Sequence, residues 1–404
     1  MPATNWARNV AFGAALYEQP TSIDEVRAVV GRADHVRVLG SGHSFNRIAD
    51  TSGTQLSLTS LPPSVDIDAA ARQVRIGAGL TYAAVAPQLH AAGLALPNLA
   101  SLPHITVVGA CATGTHGSGD GNTVLASAVS AIDLVVANGD VVTIRRGDPG
   151  FDGAVVALGR LGVVTALTLD LVPSYEIAQY VYDSLPDEDL DADFDAIFAT
   201  GYSVSVFTAF DEHNRLWCKQ LAADPPPGPI LFEALAALES RNPVPGMSPD
   251  NCTPQLGVPG PWHERLPHFR AEYAPSSGDE LQSEYLVPRE HGVAALRALR
   301  EVSSRITAVL RIAEIRTIAA DAQWLSPAYG RDTVGFHFTW TAEAPIEVIQ
   351  TVEQALAPFD PRPHWGKVFT QAAQYERMPD FARLVEHYDP NGKFGNDFVD
   401  GLIA

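Results

Sequence analysis

The sequence predicts an α+β protein of two domains, and three observations carry that expectation. The chain has 404 residues, enough for two or three domains of about 150 residues each. Residues 1–172 alternate short β-branched runs with stretches at helical spacing. Beyond them two proline-rich, irregular stretches, 223–230 and 241–262, interrupt further strand and helix patterns and read as long surface loops within a second domain.

The elements follow in order. Ser22-x-x-Glu25 is a capping box that opens a helix running to about residue 30. A strand is expected at 36–39, then short apolar stretches at 55–58, 65–67 and 74–76. The next helix spans 81–92, with Pro87 as a local defect and Gly93 as its stop. In "AIDLVVANGDVVTI" two β-branched runs joined by Asn138-Gly139 form a hairpin. A short helix at 154–158 leads through Gly159 and Gly162 into a strand at 163–171, closed by Pro173. The second half gives strands at 202–210, 311–318 and 333–340 and helices at 292–303 and 345–356. The tail, 381–404, reads as short, turn-rich and docked on one of the domains.

Composition narrows the function classes. A net charge of −20 and no basic stripe argue against nucleic acid and anionic membranes as partners. No run of about 18 apolar residues exists to span a bilayer, and the N-terminal residues lack a basic-then-apolar leader pattern. Cys111, Cys218 and Cys252 lack the spacing of a disulfide framework or zinc site. These features give the expectation of a cytoplasmic protein. Only Lys219, Lys367 and Lys393 are lysines, so each is a candidate for a specific role.

Two glycine-rich loops stand out. "GSGHSF", from Gly40, has Phe45 where a dinucleotide fingerprint needs its third glycine, and no helix follows. Residues 101–122 hold Gly109, Gly114, Gly117, Gly119 and Gly121 among Thr113, Thr115 and Ser118. Such a segment exposes backbone N–H groups and hydroxyls without bulk, which suits a long phosphate-bearing ligand. On pattern alone His43 is a capping or solvated loop histidine.

In the second half, Glu314 and Arg316 stand two residues apart in "RIAEIRTI", hence on one strand face with Ile312 and Ile318. In "TVGFHFTW", Phe336, Phe338 and Trp340 take one face, His337 and Thr339 the other. These four polar residues form one patch if the strands are neighbours. On pattern alone a half-exposed salt bridge and a solvent-facing row are the readings to prefer. "PHWGKVF" then places His364, Trp365 and Lys367 together, and "DPNGKFGN" follows.

With these motifs the chain resembles the vanillyl-alcohol oxidase and p-cresol methylhydroxylase superfamily of FAD-binding proteins over nearly its whole length. Within it, "GSGHSFN", "SLPHITVVG…ATGTHGSG", "EIRTI", "HFTW" and "HWGK" resemble the alditol (xylitol) oxidase branch. The resemblance implies an FAD-binding domain of two α/β subdomains at 1–172. It implies a substrate domain with a large antiparallel sheet covered by helices at 173–365, and a C-terminal segment, 366–404, that returns to the first domain. It implies that His43 bonds covalently to the flavin 8α-methyl carbon, and that Gly40, Ser41, Gly42 and Ser44 grip the pyrophosphate. Ser101, Thr106, Gly109, Thr113, Gly114, Thr115, His116, Val163 and His364 would also contact FAD, His116 as a loop former. Arg316 and Lys367 would be catalytic, at the hydroxyl being oxidised. Ser101, Glu314, His337 and Thr339 would hold the rest of the substrate.

The activity so implied is oxidation of the C1 hydroxyl of alditols such as xylitol and sorbitol, with hydride passing to flavin N5 and O2 reduced to hydrogen peroxide, by a monomer. Lys367 and His337 are both open as acceptors of the hydroxyl proton. An aldonolactone oxidase or dehydrogenase on the same fold is the second reading. A non-catalytic flavin- or sugar-binding protein is the third; it would keep the loops but not need Arg316 and Lys367 together. Asp120 stands where the resemblance leads one to expect an apolar residue, and it matters only if it faces the pocket.

Overall fold

A computed structural model describes residues 4–211, 214–273 and 279–403. The described residues form four sheets; one is a two-stranded pairing of Val172–Pro173 with Leu94–Ala95, and the other three organise the molecule. Strands Leu16–Glu18, Thr54–Leu56 and Val36–Val38 form a parallel three-stranded sheet in that spatial order. A five-stranded antiparallel sheet runs Val65–Asp68, Gln73–Gly77, Val163–Asp170, Val129–Val135, Val141–Arg145. The ten-stranded sheet has at its centre, in spatial order, Glu176–Leu185, Asn214–Leu221, Ser203–Thr208, Leu310–Ile318, Thr333–Thr341 and Glu280–Pro288, all antiparallel neighbours. Helices Gly292–Glu301 and Ile346–Leu356 cover the face that carries Phe336, Phe338 and Trp340, and the three rings are buried with Leu296, Leu299, Val352 and Leu356 in one core.

The local signals act as physical chemistry requires. Ser22 caps the helix Ile23–Arg32 by accepting the Glu25 N–H, and the Glu25 carboxylate reaches back to the Thr21 N–H at 2.7 Å. Thr81 caps Tyr82–Ala91, whose interior contains Pro87. Gly139 turns the hairpin at φ +86°, a left-handed conformation that glycine adopts without strain.

Four expectations need correction. The tail is not turn-rich: it holds helices Met378–Tyr388 and Asp397–Ile403. Pro379 sits in the first turn of Met378–Tyr388, where no intrahelical donor is lost. The short helix spans Phe151–Val155, not 154–158, starting directly after Gly150 at φ +81°. The second glycine loop contains a helix, Val107–Ala112, that buries Val107, Ala110 and Cys111. The strands Glu176–Leu185, Asn214–Leu221 and Glu280–Pro288 are additional to those expected. Both faces of Glu280–Pro288 are buried, which erases the polar–apolar alternation by which a half-exposed strand is recognised.

The tail docks beside the first glycine loop. Buried Arg160 joins Asp389 and lies 2.9 Å from Asp400, while Asn396 donates to the carbonyls of Arg47 and Asp50 at 2.9 and 2.8 Å. Arg37, also buried, donates to the carbonyls of Ile48, Leu158, Gly159 and Phe394. One guanidinium thus ties the strand before the loop to the Gly159–Gly162 strand entry and to the tail.

Candidate active site

The strand Val36–Val38 delivers the chain into Gly40-Ser41-Gly42, and Gly42 turns it at φ +71°. The second loop meets it at Thr106. A Cβ on Gly40 would come within 2.5 Å of Thr106 Oγ1, and one on Gly109 within 2.7 Å. At both positions a side chain would collide with the threonine hydroxyl unless Thr106 turned away. The two loops form one wall of a cavity of about 370 Å³.

Gly40, Ser41, Gly42, His43, Ser44, Ser101, Thr106, Gly109, Thr113, Thr115 and His116 line this cavity, and so does His364. Gly114 and Val163 do not: Gly114 turns the chain at φ +64° and Val163 is wholly buried in a core cluster. Their neighbours Thr113, Thr115 and Val164 take the wall positions. His43 stacks on Trp6 at 5.1 Å, and its Nδ1 is buried with no hydrogen-bond partner among the described residues. Burial, with Lys367 and His104 nearby, pushes the imidazole down to about 4. It is therefore neutral, and nucleophilic, at physiological pH.

The opposite wall is the ten-stranded sheet. Antiparallel register sets Glu314 against His337 and Ile312 against Thr339 on one side, and Glu284 against His337 and Gln282 against Thr339 on the other. The four polar residues read from sequence thus share one patch, and each lines the cavity with Lys367. At its centre is a carboxylate that the sequence reading missed. Glu284 pairs with Arg316, stands 3.3 Å from His116 Nε2 and lies 3.4 Å from His337 Nδ1. His337 Nε2 lies 3.3 Å from Thr339 Oγ1. Gln282, also missed, accepts from Lys367 Nζ, which sits 5.1 Å above the Phe45 ring.

Charge states follow from these contacts. Burial is the largest single influence and would push Glu284 and Glu314 up, but Arg316 acting together with His116 and His337 at Glu284, and with His268 and His337 at Glu314, outweighs it and holds both carboxyls well below the usual range. The same pairing holds Arg316 above its ordinary value despite burial. Lys367 goes the other way: burial and Arg316, opposed by Glu284, push its amine down to about 8. Burial also lowers His337 and His364. The arrangement is a permanent cation, an amine that titrates near neutrality, and a ring of acceptors on one wall. A glycine-lined cradle and an unpartnered histidine nitrogen form the other, and these residues fit a flavin dinucleotide. Asp120 is absent from the wall; it pairs at the surface with Arg289 at 2.6 Å.

Comparison with known proteins decides the family. Residues 14–145 match the model of the FAD binding domain, and residues 279–402 that of D-arabinono-1,4-lactone oxidase. The chain is 50% identical to the alditol oxidase of a Streptomyces species, over 99% of this chain and 98% of that protein. This chain belongs to the alditol oxidase family of FAD-binding oxidoreductases. L-gulono-1,4-lactone dehydrogenase of Mycobacterium tuberculosis is more distant, 29% identical over 99% of both chains. A solvent-stable cholesterol oxidase shares the fold, with a TM-score of 0.80 at 17% identity over 99% of this chain and 97% of that one. No described helix is long and apolar enough to cross a membrane.

Proposed function

We propose that this chain is an alditol oxidase that converts the terminal hydroxyl of a polyol such as xylitol or sorbitol to the aldehyde of the aldose, with O2 as the final acceptor. The observation that carries the reading is that Arg316 and Lys367 share one cavity with the glycine-loop cradle. FAD, when bound, supplies a two-electron acceptor for the hydride of the oxidised carbon and passes the electrons to O2 as hydrogen peroxide. Residues 1–172, with the returning segment 366–404, hold it through Gly40, Ser41, Gly42, Ser44, Thr106, Gly109, Thr113 and Thr115. Residues 173–365 supply most of the substrate wall.

Arg316 stays protonated at any working pH. Its role is to polarise the reacting hydroxyl and stabilise the developing alkoxide. Lys367, as the free amine, takes the hydroxyl proton. Ser101, Glu314, His337 and Thr339 pair the remaining hydroxyls, so a substrate lacking one leaves a buried polar group unpaired and is disfavoured. Three buried free cysteines suit a reducing cytoplasm.

A screen of alditols against aldonolactones, following both peroxide and dye reduction, tests the reading. Xylitol or sorbitol is expected to be oxidised with peroxide release. Preference for a lactone would replace the reading by a lactone oxidoreductase, and turnover with dye alone by a dehydrogenase.

His43 would be the covalent tether in this reading: its neutral imidazole would supply the nucleophile for the flavin 8α-carbon once that methyl has lost a proton, and the two electrons would leave through the reduced flavin to O2. Acid precipitation of the wild-type protein is expected to keep the yellow colour in the pellet. The His43→Ala protein is expected to release it to the supernatant. Release from both would remove the tether.

A further inference from the structure

The three lysines have separate fates. Lys367 faces the cavity, Lys393 donates to the Val30 carbonyl, and Lys219 is buried beneath the substrate wall with no role in the account above. We propose that Lys219 and His268 are positioning residues that fix Glu314 as an acceptor-only carboxylate for a non-reacting hydroxyl of the polyol. The proposal deepens the functional reading and rests on it.

The contacts form one chain. Lys219 Nζ donates to the Leu266 carbonyl and stands 3.2 Å from His268 Nδ1. His268 Nε2 lies 3.0 Å from Glu314 Oε1, and Glu314 Oε2 lies 3.7 Å from Arg316 Nε. Lys219, His268 and Glu314 are 3%, 4% and 4% exposed. Burial, with Lys219 beside it, pushes His268 down to about 4, so its ring is neutral and carries a single N–H. A carboxylate can only accept, so that N–H belongs on Nε2. Nδ1 must then accept, and Lys219 is the donor placed to supply it. Without Lys219 only the contact with Glu314 favours this tautomer and Nδ1 is left a buried acceptor without its donor, so the ring is held less firmly in the orientation that serves Glu314.

The ring itself is clamped. It meets Phe207 and Trp217 edge to face at 5.3 and 5.2 Å, and its backbone N–H donates to the Ser101 carbonyl at 3.1 Å. Phe207 and Glu314 are cross-strand partners. With Oε1 engaged by His268, Glu314 keeps lone-pair capacity on the cavity wall for a hydroxyl donor. Burying an amine destabilises a fold unless its donors are used. Here one partner, His268, leads to the substrate wall.

The experiment uses the flavin-loaded full chain. Lys219→Met is expected to raise the KM for xylitol about tenfold, the range for one charge-assisted hydrogen bond, with kcat within about twofold. Combined with Glu314→Gln, it is expected to raise KM no further than Glu314→Gln alone, because both act through the same carboxylate. An unchanged KM, a fall in kcat alone, or fully multiplicative effects would each overturn the proposal. The imidazole nitrogen-15 shifts of His268 in the wild-type protein give a readout independent of turnover and of the variant's folding. The Nε2–H tautomer is expected, and an Nδ1–H tautomer would overturn the proposal. Failure of the wild-type protein to oxidise any polyol would count against the functional reading, while the His268 nitrogen-15 shifts, compared between the wild-type and Lys219→Met proteins, still decide the role of Lys219: unchanged shifts would overturn it.

Discussion

Lys367→Met lowers kcat/KM for xylitol by about 10²- to 10⁴-fold, the usual contribution of a positioned general base, while the protein keeps its flavin. Methionine replaces most of the side chain's volume but cannot take a proton or donate to Gln282. The pH profile assigns the role. Lys367 is charged below about 8 and a free amine above it, because burial and Arg316 outweigh the attraction of Glu284. If it is the base, kcat/KM rises with pH through about 8 and then levels. If His337 is the base, the rise comes below its ordinary 6.5, because burial lowers that imidazole. A wild-type profile flat from pH 7 to 9, with Lys367→Met fully active, would leave the amine no catalytic part.

Arg316→Met has two separable effects. If Arg316 is the cation that stabilises the developing alkoxide, its loss costs about 10²–10³ in kcat, as when one donor is removed from an oxyanion site. The change also leaves two buried carboxylates, Glu284 and Glu314, without their shared partner. Stranding buried charge in this way costs about 3–5 kcal/mol of stability. Adding Glu284→Gln removes one stranded charge, so the double variant recovers part of the urea midpoint but none of the activity. If activity returned together with stability, Arg316 would be a structural ion-pair member and not a catalytic cation.

The sequence reaches some parts of this site and not others, for identifiable reasons. Glu314 with Arg316, and His337 with Thr339, are legible because a strand puts alternate residues on one face, and a charge within an apolar row marks that face. The glycine loops are legible because hydroxyls and missing side chains cluster in them. The contact of the two loops at Thr106 is not, since it depends on where the chain returns. Glu284 lies in "ELQSEYLV", where the polar row Gln282–Glu284 is present in the sequence; only the pairing of its strand with Thr333–Thr341 gives that row meaning. His268 sits in an irregular stretch without periodicity, and no local rule brings it to Glu314. Lys219 was conspicuous only by the scarcity of lysine. Asp120 was conspicuous by resemblance and proves to be a surface ion-pair partner.

The central claim is that one cavity holds a flavin and a polyol against Arg316 and Lys367. The most direct test is the absorption spectrum of the purified protein during anaerobic addition of xylitol. The account predicts an oxidised flavin band that bleaches on addition of the polyol and returns when O2 is admitted, with peroxide formed in proportion. A flavin band unchanged by xylitol and sorbitol at any concentration would contradict it.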